Sequence, residues 1–532
     1  MIPLDPLRWG SWVPLRPSIT DRIIRPREVY CSISEPIKHE ICQFPGLARI
    51  AFPWRGDLLQ PSQTSFCSVR TKPPSTKLTN VGPSIRSASL HRRAFMVSKI
   101  NPNRVPETGI ADPARRDFLK VAAALTAGAT LGSTGRAWAA ADKKIRIGYI
   151  SPKTGPFAPF AEADDFILDQ VRKSLAGGLS VGGSKYEVEI IARDDQSSPD
   201  RQSNLAAELI NKENIDLMLA QVSIGPGVSQ QCELNGVPCI STMGPWQAWM
   251  FPMKGDPAKG FKNVFHFFWG IEDIAAVYLD IWKDANTNKV VGSVFSNDVP
   301  GNAMGDLKLG MPGAFAKAGY KIVDIGRFPV GADDFSTHIQ AFKKEGVEIV
   351  TGLFNPPEWA TFLNQSAQMG FKPKVCTIAK ALLFPGGVAA LGPRAEGMST
   401  EIWWLPSYPF RSSLTGQTAT ELAAAYQAAT KREWTQPIGV AHALFEAGVQ
   451  ALKTSGDPKS PNKVVESLRK LKTDTVIGNL DFGASGIANV SKIRVVGGQW
   501  HVEDGGKPHL YITSNSTAPE IKAERKLELL KS

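Results

Sequence analysis

The chain has 532 residues, with 61 Lys and Arg against 50 Asp and Glu and a formal net charge of +11. That excess is confined to one end: residues 1–139 carry 20 basic and 9 acidic side chains, leaving 41 of each from Ala140 onward. Whatever folds beyond Ala140 is electrically neutral, which removes the basic face that nucleic acid or an anionic membrane surface would require.

Residues 1–95 are dense in Pro, Ser and Arg, show no sustained helical or strand period, and stop just short of Met96. Two readings are open: upstream sequence translated from a start assigned too early, with Met96 the true start, or a disordered N-terminal extension. Residues 96–139 then form a leader and an export signal. Arg115 and Arg116 are followed by Phe118, Leu119 and Lys120, an apolar run over 121–132, and Ala137-Trp138-Ala139, a small-x-small cleavage pattern. The apolar run is Ala/Gly-rich and well short of the roughly 20 residues that cross a bilayer. The order of parts predicts export by the twin-arginine machinery, cleavage near Ala139 and a periplasmic mature chain. A label of this kind is read near an N-terminus, which favours Met96 as the start.

The 393 residues from Ala140 suit two lobes of ordinary domain size. Of the six cysteines only Cys232, Cys239 and Cys376 remain there. An oxidising compartment permits a Cys232–Cys239 bridge, but the first closes a predicted helix and the second lies in the next strand, so two buried free thiols are favoured. In chain order the pattern predicts a strand over 145–150, a helix from about 161 to 176, and a strand on which Tyr186, Val188 and Ile190 alternate with charged residues. Ser198-Pro199 supplies a cap and first-turn proline for a helix over 200–212. Strands follow over 215–220, 237–241, 289–295, 321–328, 347–353 and 374–379, and a helix over 438–452. Gly236, Gly319, Gly346 and Gly370 each stand where a helix should stop. Repeated βα units predict an α/β fold of doubly wound parallel sheets, with ligands at the carboxyl ends of the strands.

The loops at those ends hold little catalytic chemistry. There is no G-x-G-x-x-G after the first strand, no phosphate-binding lysine loop, no G-x-S-x-G elbow, and His266, His338, His442, His501 and His509 show no metal-ligand spacing. No cofactor, no metal and no catalytic residue is expected, and His442 reads as a packed or capping histidine. The loops carry aromatic rings, hydroxyls and amides instead, which hold a small solute without changing it.

Ile147-Gly-Tyr-Ile-Ser-Pro-Lys-Thr-Gly-Pro-Phe157, then ARDDQSSPDR at 192–201, GVPCIS at 236–241 and GGQWHVEDGG at 497–506 resemble the leucine/isoleucine/valine-binding family of periplasmic solute receptors. The resemblance runs over nearly all of 143–510. It implies two lobes joined by three crossings, closing on a solute that passes to the membrane permease of an ABC importer. The crossings are expected near 266–268, 398–403 and 488–494. Lobe 1 is then 143–266 with 404–488, lobe 2 is 268–398 with 494–510, and 511–532 is a C-terminal tail. The receptor is expected to be a monomer that binds no nucleic acid.

Candidate ligand contacts are assigned loop by loop. Phe157 and Phe160 stand at the mouth of the first loop, where Phe160 packs either on the solute or on the lobe surface. Ser223 and Thr242 match positions where the family presents hydroxyls to a charged solute end, with helix capping the alternative for Ser223. Trp246 floors the site or covers a lobe edge. Asn297, Asp298 and Asn355 follow strand ends of the second lobe. Lys380 stands near the place where amino-acid binders of the family hold a carboxylate for the solute ammonium, and a cation there attracts a carboxylate instead. Pointing to solvent or capping a helix is its alternative, and Asp298 or Glu358 then supplies the negative charge. Trp403 and Trp404 face opposite ways on an extended segment, so one faces the cleft and, with Tyr408, makes that wall aromatic. The solute is left open between a branched-chain or related amino acid and an aromatic or small carboxylate. The rival readings are a twin-arginine-exported enzyme with a bound cofactor and an amide-sensing regulator of the same fold.

Overall fold

The computed structural model describes residues 143–221 and 225–531. The export-signal residues and Ser223 therefore lie outside the described residues. The chain opens with β1 (Lys144–Ser151), β2 (Leu179–Val181), β3 (Ser184–Asp194), β4 (Leu217–Gln221), β5 (Cys239–Thr242) and β6 (Val264–Phe267). It continues with β7 (Val290–Ser296), β8 (Lys321–Phe328), β9 (Ile349–Phe354), β10 (Val375–Lys380) and β11 (Ser399–Ile402). The last five are β12 (Lys472–Thr475), β13 (Gly478–Asp481), β14 (Val490–Ser491), β15 (Val496–Val502) and β16 (Pro508–Ser514).

These strands build two seven-stranded sheets and a hairpin, β12–β13. The first sheet runs β14-β6-β5-β4-β1-β3-β2 and the second β16-β15-β11-β10-β9-β7-β8. Their centres are parallel, as the βα rhythm predicts. At the edges β2 pairs antiparallel with β3, and β15 pairs antiparallel with both β11 and β16. The β2–β3 and β15–β16 hairpins need no crossover helix, so no helical period lies between their strands.

Central strands are buried along their whole length, LMLAQ in β4, IVTGLF in β9 and VCTIAK in β10, because helices cover both faces. Ser198 caps the helix Pro199–Asn211 by accepting from the Arg201 N–H at 3.3 Å. The helix Ser336–Glu345 ends on Gly346 at φ 69°, a left-handed turn that a side chain would strain.

The chain leaves the first sheet after Phe267 and reaches the helix Ile271–Trp282, which packs on β11, β15 and β16. It leaves the second sheet after Ile402 and returns through the helices Ala419–Thr430, Pro437–Thr454 and Pro461–Arg469, the second of which packs on β2, β4 and β5. The last passage joins Ser491 to Val496. The C-terminal segment is part of the second lobe: β16 runs to Ser514, Ile521 is fully buried, and the Leu530 N–H donates to the Lys374 carbonyl at 2.9 Å. Cys232, Cys239 and Cys376 are buried free thiols. No helix among the described residues is long and apolar enough to cross a membrane.

The helix Pro437–Thr454 is buried on almost every side, and Gly439 in its first turn lies against the Trp404 indole. A Cβ there would stand 2.3 Å from the ring. Gly439→Ala is therefore expected to destabilise the protein by about 1–3 kcal/mol through overpacking, outweighing the ~1 kcal/mol that Ala gains over Gly in a helix. Denaturant unfolding checks this; equal or greater stability would contradict it.

Candidate functional site

Carboxyl ends of strands from both sheets converge on one small cavity of about 50 Å³. The first lobe contributes Phe157 and Phe160 from the segment after β1 and Met243, Gly244 and Pro245 from the turn after β5. Phe268 and Trp269 stand where the chain leaves β6, and Trp403 where it leaves β11. The second lobe adds Pro300 and Met304 after β7, Leu353 on β9, Ala379, Lys380 and Leu383 at the end of β10, and Glu401 on β11.

The walls are aromatic. Trp403 stacks near Phe160 at 6.1 Å and meets the edge of Phe268 at 4.9 Å, while Phe160 meets Phe384 of the second lobe at 5.0 Å. Phe268 packs on Trp269 at 4.8 Å. These separations suit offset and edge-to-face ring contacts. Two lobes and two crossings thus share one apolar cluster.

Two ionisable groups break that surface. Lys380, only 6% exposed, ends β10 in the left-handed region at φ 66°. Its Nζ lies 4.2 Å from the Phe157 ring centroid and 3.7 Å from Asp298 Oδ2, an ion-pair distance too long for a hydrogen bond. Burial pulls its ammonium below the ordinary range, with Asp298 and Glu358 opposing. Glu401 accepts from the Tyr278 hydroxyl at 2.6 Å and the Thr400 hydroxyl at 3.2 Å, both at Oε2. Burial pushes its carboxyl up to about 7, although these hydroxyls and Trp403 favour the charged form.

A second buried group roots the first lobe's loops. Asp164 accepts from the Tyr149 hydroxyl at 2.9 Å and from Gln221 Nε2 at 3.1 Å, joining the ends of β1 and β4 to the helix Asp164–Leu175. Burial raises it to about 7 against the hydrogen bonds from Ser151, Tyr149 and Gln221. At the crossings, Lys492 Nζ binds Glu272 Oε1 at 2.5 Å and Asp273 Oδ1 at 2.9 Å, and the Trp246 indole N–H donates to Glu272 at 3.0 Å. This ties the first and third passages together.

Four of the sequence-assigned contacts line the cavity: Phe157, Phe160, Lys380 and Trp403. The others that lie among the described residues do not line it, for identifiable reasons. Thr242 donates to the Phe267 carbonyl at 2.7 Å, and Trp246 is held by Glu272. Asn297 accepts from Asn302. Asp298 and Asn355 cap the helices Val299–Met304 and Pro356–Gln368, the latter paired with Glu358. Trp404 turns the opposite way from the cavity onto Gly439, and Tyr408 donates to the Ile402 carbonyl. Trp269, Glu401 and Met243 were missed, although each follows or sits on a strand end where ligands of such sheets lie. His442 is buried, pairs with the Ser412 hydroxyl at 2.8 Å, and burial lowers it to about 4.

Among the described residues, one group has ligand atoms close enough for a metal, Glu396, His501 and Glu528 within 4.8 Å. His501 Nδ1 lies 3.1 Å from Glu396, and the Val502 N–H donates to the same carboxylate at 2.7 Å, so the pair fastens β15 to the turn before β11. It takes no part in the cavity.

The sequence profile described as periplasmic binding protein matches residues 144–506. The chain belongs to that family. This periplasmic binding protein is similar to Leu/Ile/Val-binding protein homolog 3 of Brucella melitensis, 25% identical over 388 residues that cover 69% of this chain and 94% of that one. Its fold is similar to that of the leucine-binding protein LivK of Thermotoga maritima, at 20% identity and a TM-score of 0.56, over 70% of this chain and 99% of that one. It is also similar to an ABC transporter solute-binding protein of R. palustris in complex with 4-hydroxybenzoate, at 16% identity and a TM-score of 0.57, over 73% and 97% of the two chains. The fold is therefore the two-lobed type I periplasmic binding protein architecture.

Two outcomes follow from this geometry. Trp403→Ala removes a wall shared by both lobes and is expected to weaken solute binding by about 30-fold or more, whereas Trp404→Ala should lower stability and leave affinity within about threefold; equal effects in calorimetric titration would contradict the placement. Asp164 holds its proton to a higher pH folded than unfolded, so its contribution to stability is complete below its ordinary value of 3.8 and is lost as pH rises through about 7. Asp164→Asn should therefore flatten the decline of melting temperature between about pH 4 and 7 relative to the unaltered protein; a difference independent of pH would refute it.

Proposed function

We propose that this protein is the extracytoplasmic receptor of an ABC importer. It takes a small organic solute, a branched-chain or related amino acid or an aromatic or small carboxylate, between its lobes and presents the closed form to a membrane permease. The observation that carries this is the composition of the cavity wall: an occupant touches Phe160 of one lobe, Lys380 of the other and Trp403 at a crossing. A ligand shifts a two-state equilibrium only by its difference in affinity for the two states. A solute held from both sides binds the closed form better, and its binding energy becomes the signal that a permease reads.

Family membership supports an extracytoplasmic site of action, and the twin-arginine pattern at Arg115 and Arg116 with Ala137-Trp138-Ala139 supports export and cleavage before Ala140. The two structural relatives, a leucine-binding protein and a solute-binding protein in complex with 4-hydroxybenzoate, bracket the classes that an aromatic wall with one buried cation accommodates. The protein is read as a monomer that returns its solute unaltered.

A thermal-shift screen of the purified protein against amino acids and carboxylates tests the reading. A true solute at 100 times its Kd should add about 2.7 kcal/mol of stability and be recovered chemically unchanged. Conversion of a metabolite, or stabilisation by no member of either class, would overturn it.

A further inference from the structure

The polar inventory of the cavity is one-sided. The indole N–H groups of Trp269 and Trp403 are buried and both rings line the cavity; Trp269 Nε1 has no partner among the described residues, and Trp403 Nε1 faces the Glu401 carboxyl without making a hydrogen bond to it. Buried polar groups are normally paired, so two orphaned donors on one cavity call for a partner. Lys380 adds a third donor group, since Asp298 at 3.7 Å is beyond hydrogen-bond range. Several of the nearby acceptors are already engaged. Around the cavity, the Gly244 carbonyl lies 2.8 Å from His266 Nε2, the Trp269 carbonyl accepts from Trp246 N–H, and the Ala379 and Lys380 carbonyls accept from Ala381 and Leu383 N–H.

We propose, building on the receptor reading, that the solute is a carboxylate with an apolar body and no ammonium group, bound through Lys380 and the indole N–H groups of Trp269 and Trp403. A carboxylate is an acceptor-only group with about four lone-pair positions, which matches an ammonium and two N–H donors. A zwitterionic amino acid brings a second cation beside Lys380 and needs acceptors to replace the water it loses. Glu401 is the remaining acid on the wall. Its Oε2 is taken by Tyr278 and Thr400, which leaves it a single oxygen to offer an ammonium. Phe157 and Phe160 then enclose the apolar body.

Two matched pairs isolate the ammonium: 4-methylpentanoate against leucine, and 3-phenylpropanoate against phenylalanine, each by titration calorimetry on the purified protein. The acid should bind about 100-fold or more tightly than its amino counterpart in at least one pair. Trp269→Phe keeps the ring and loses the donor, and should weaken acid binding by about tenfold. Lys380→Met should abolish acid binding; melting curves report whether either variant folds, and Trp269→Phe decides the matter if Lys380→Met does not. Equal or tighter binding of leucine or phenylalanine would overturn this inference and leave the receptor reading standing. Absence of binding by all four compounds would overturn it too, and the receptor reading would then rest on the thermal screen alone.

Discussion

Two sheets that point their carboxyl ends at one another leave an apolar surface between them, and that surface has to be covered from both sides. Trp403 shows how the chain meets this constraint. It stands at a crossing, touches Phe160 of the first lobe and Phe268 of the first crossing, and is almost wholly buried. Rings placed there transmit what fills the cavity into the relative position of the lobes, because packed aromatic clusters tolerate few arrangements. The salt-bridged knot of Lys492, Glu272 and Asp273 holds the passages beside it in register.

The polar groups are fixed before any solute arrives. Lys380 occupies a left-handed conformation that costs a non-glycine residue roughly 1–2 kcal/mol. Its position is held by the β9–β10 ladder on one side and by Asp298 on the other, itself fixed as a helix cap by Ser296 and Gly301. A desolvated cation is stabilised by an incoming anion, so burial sharpens the preference for negative charge. In the first lobe the Tyr149–Asp164–Gln221 network does the corresponding work of fixing strand ends.

Much of the scaffold was legible in the sequence because its signals are local. The run 321–328 is β8 without a shift at either end, Ser198-Pro199 caps and opens its helix, and Gly346 closes the one before β9. The antiparallel pairing of the edge strands was not legible, since a hairpin of β15 and β16 leaves no helix between its strands. The site was harder for a physical reason. Hydroxyls and amides after a strand serve equally as caps or as ligand contacts, and the tertiary structure uses Thr242, Asp298 and Asn355 for its own backbone and side chains. Trp269 and Glu401 became candidates only when strands distant in sequence met around one cavity.

The central claim is that the binding energy of an unaltered solute draws two lobes together. Small-angle scattering of the protein, titrated with a compound that stabilises it, tests this most directly. The account predicts a saturable fall in radius of gyration with the same midpoint as binding. Saturation of the site with no change in the scattering profile would contradict it.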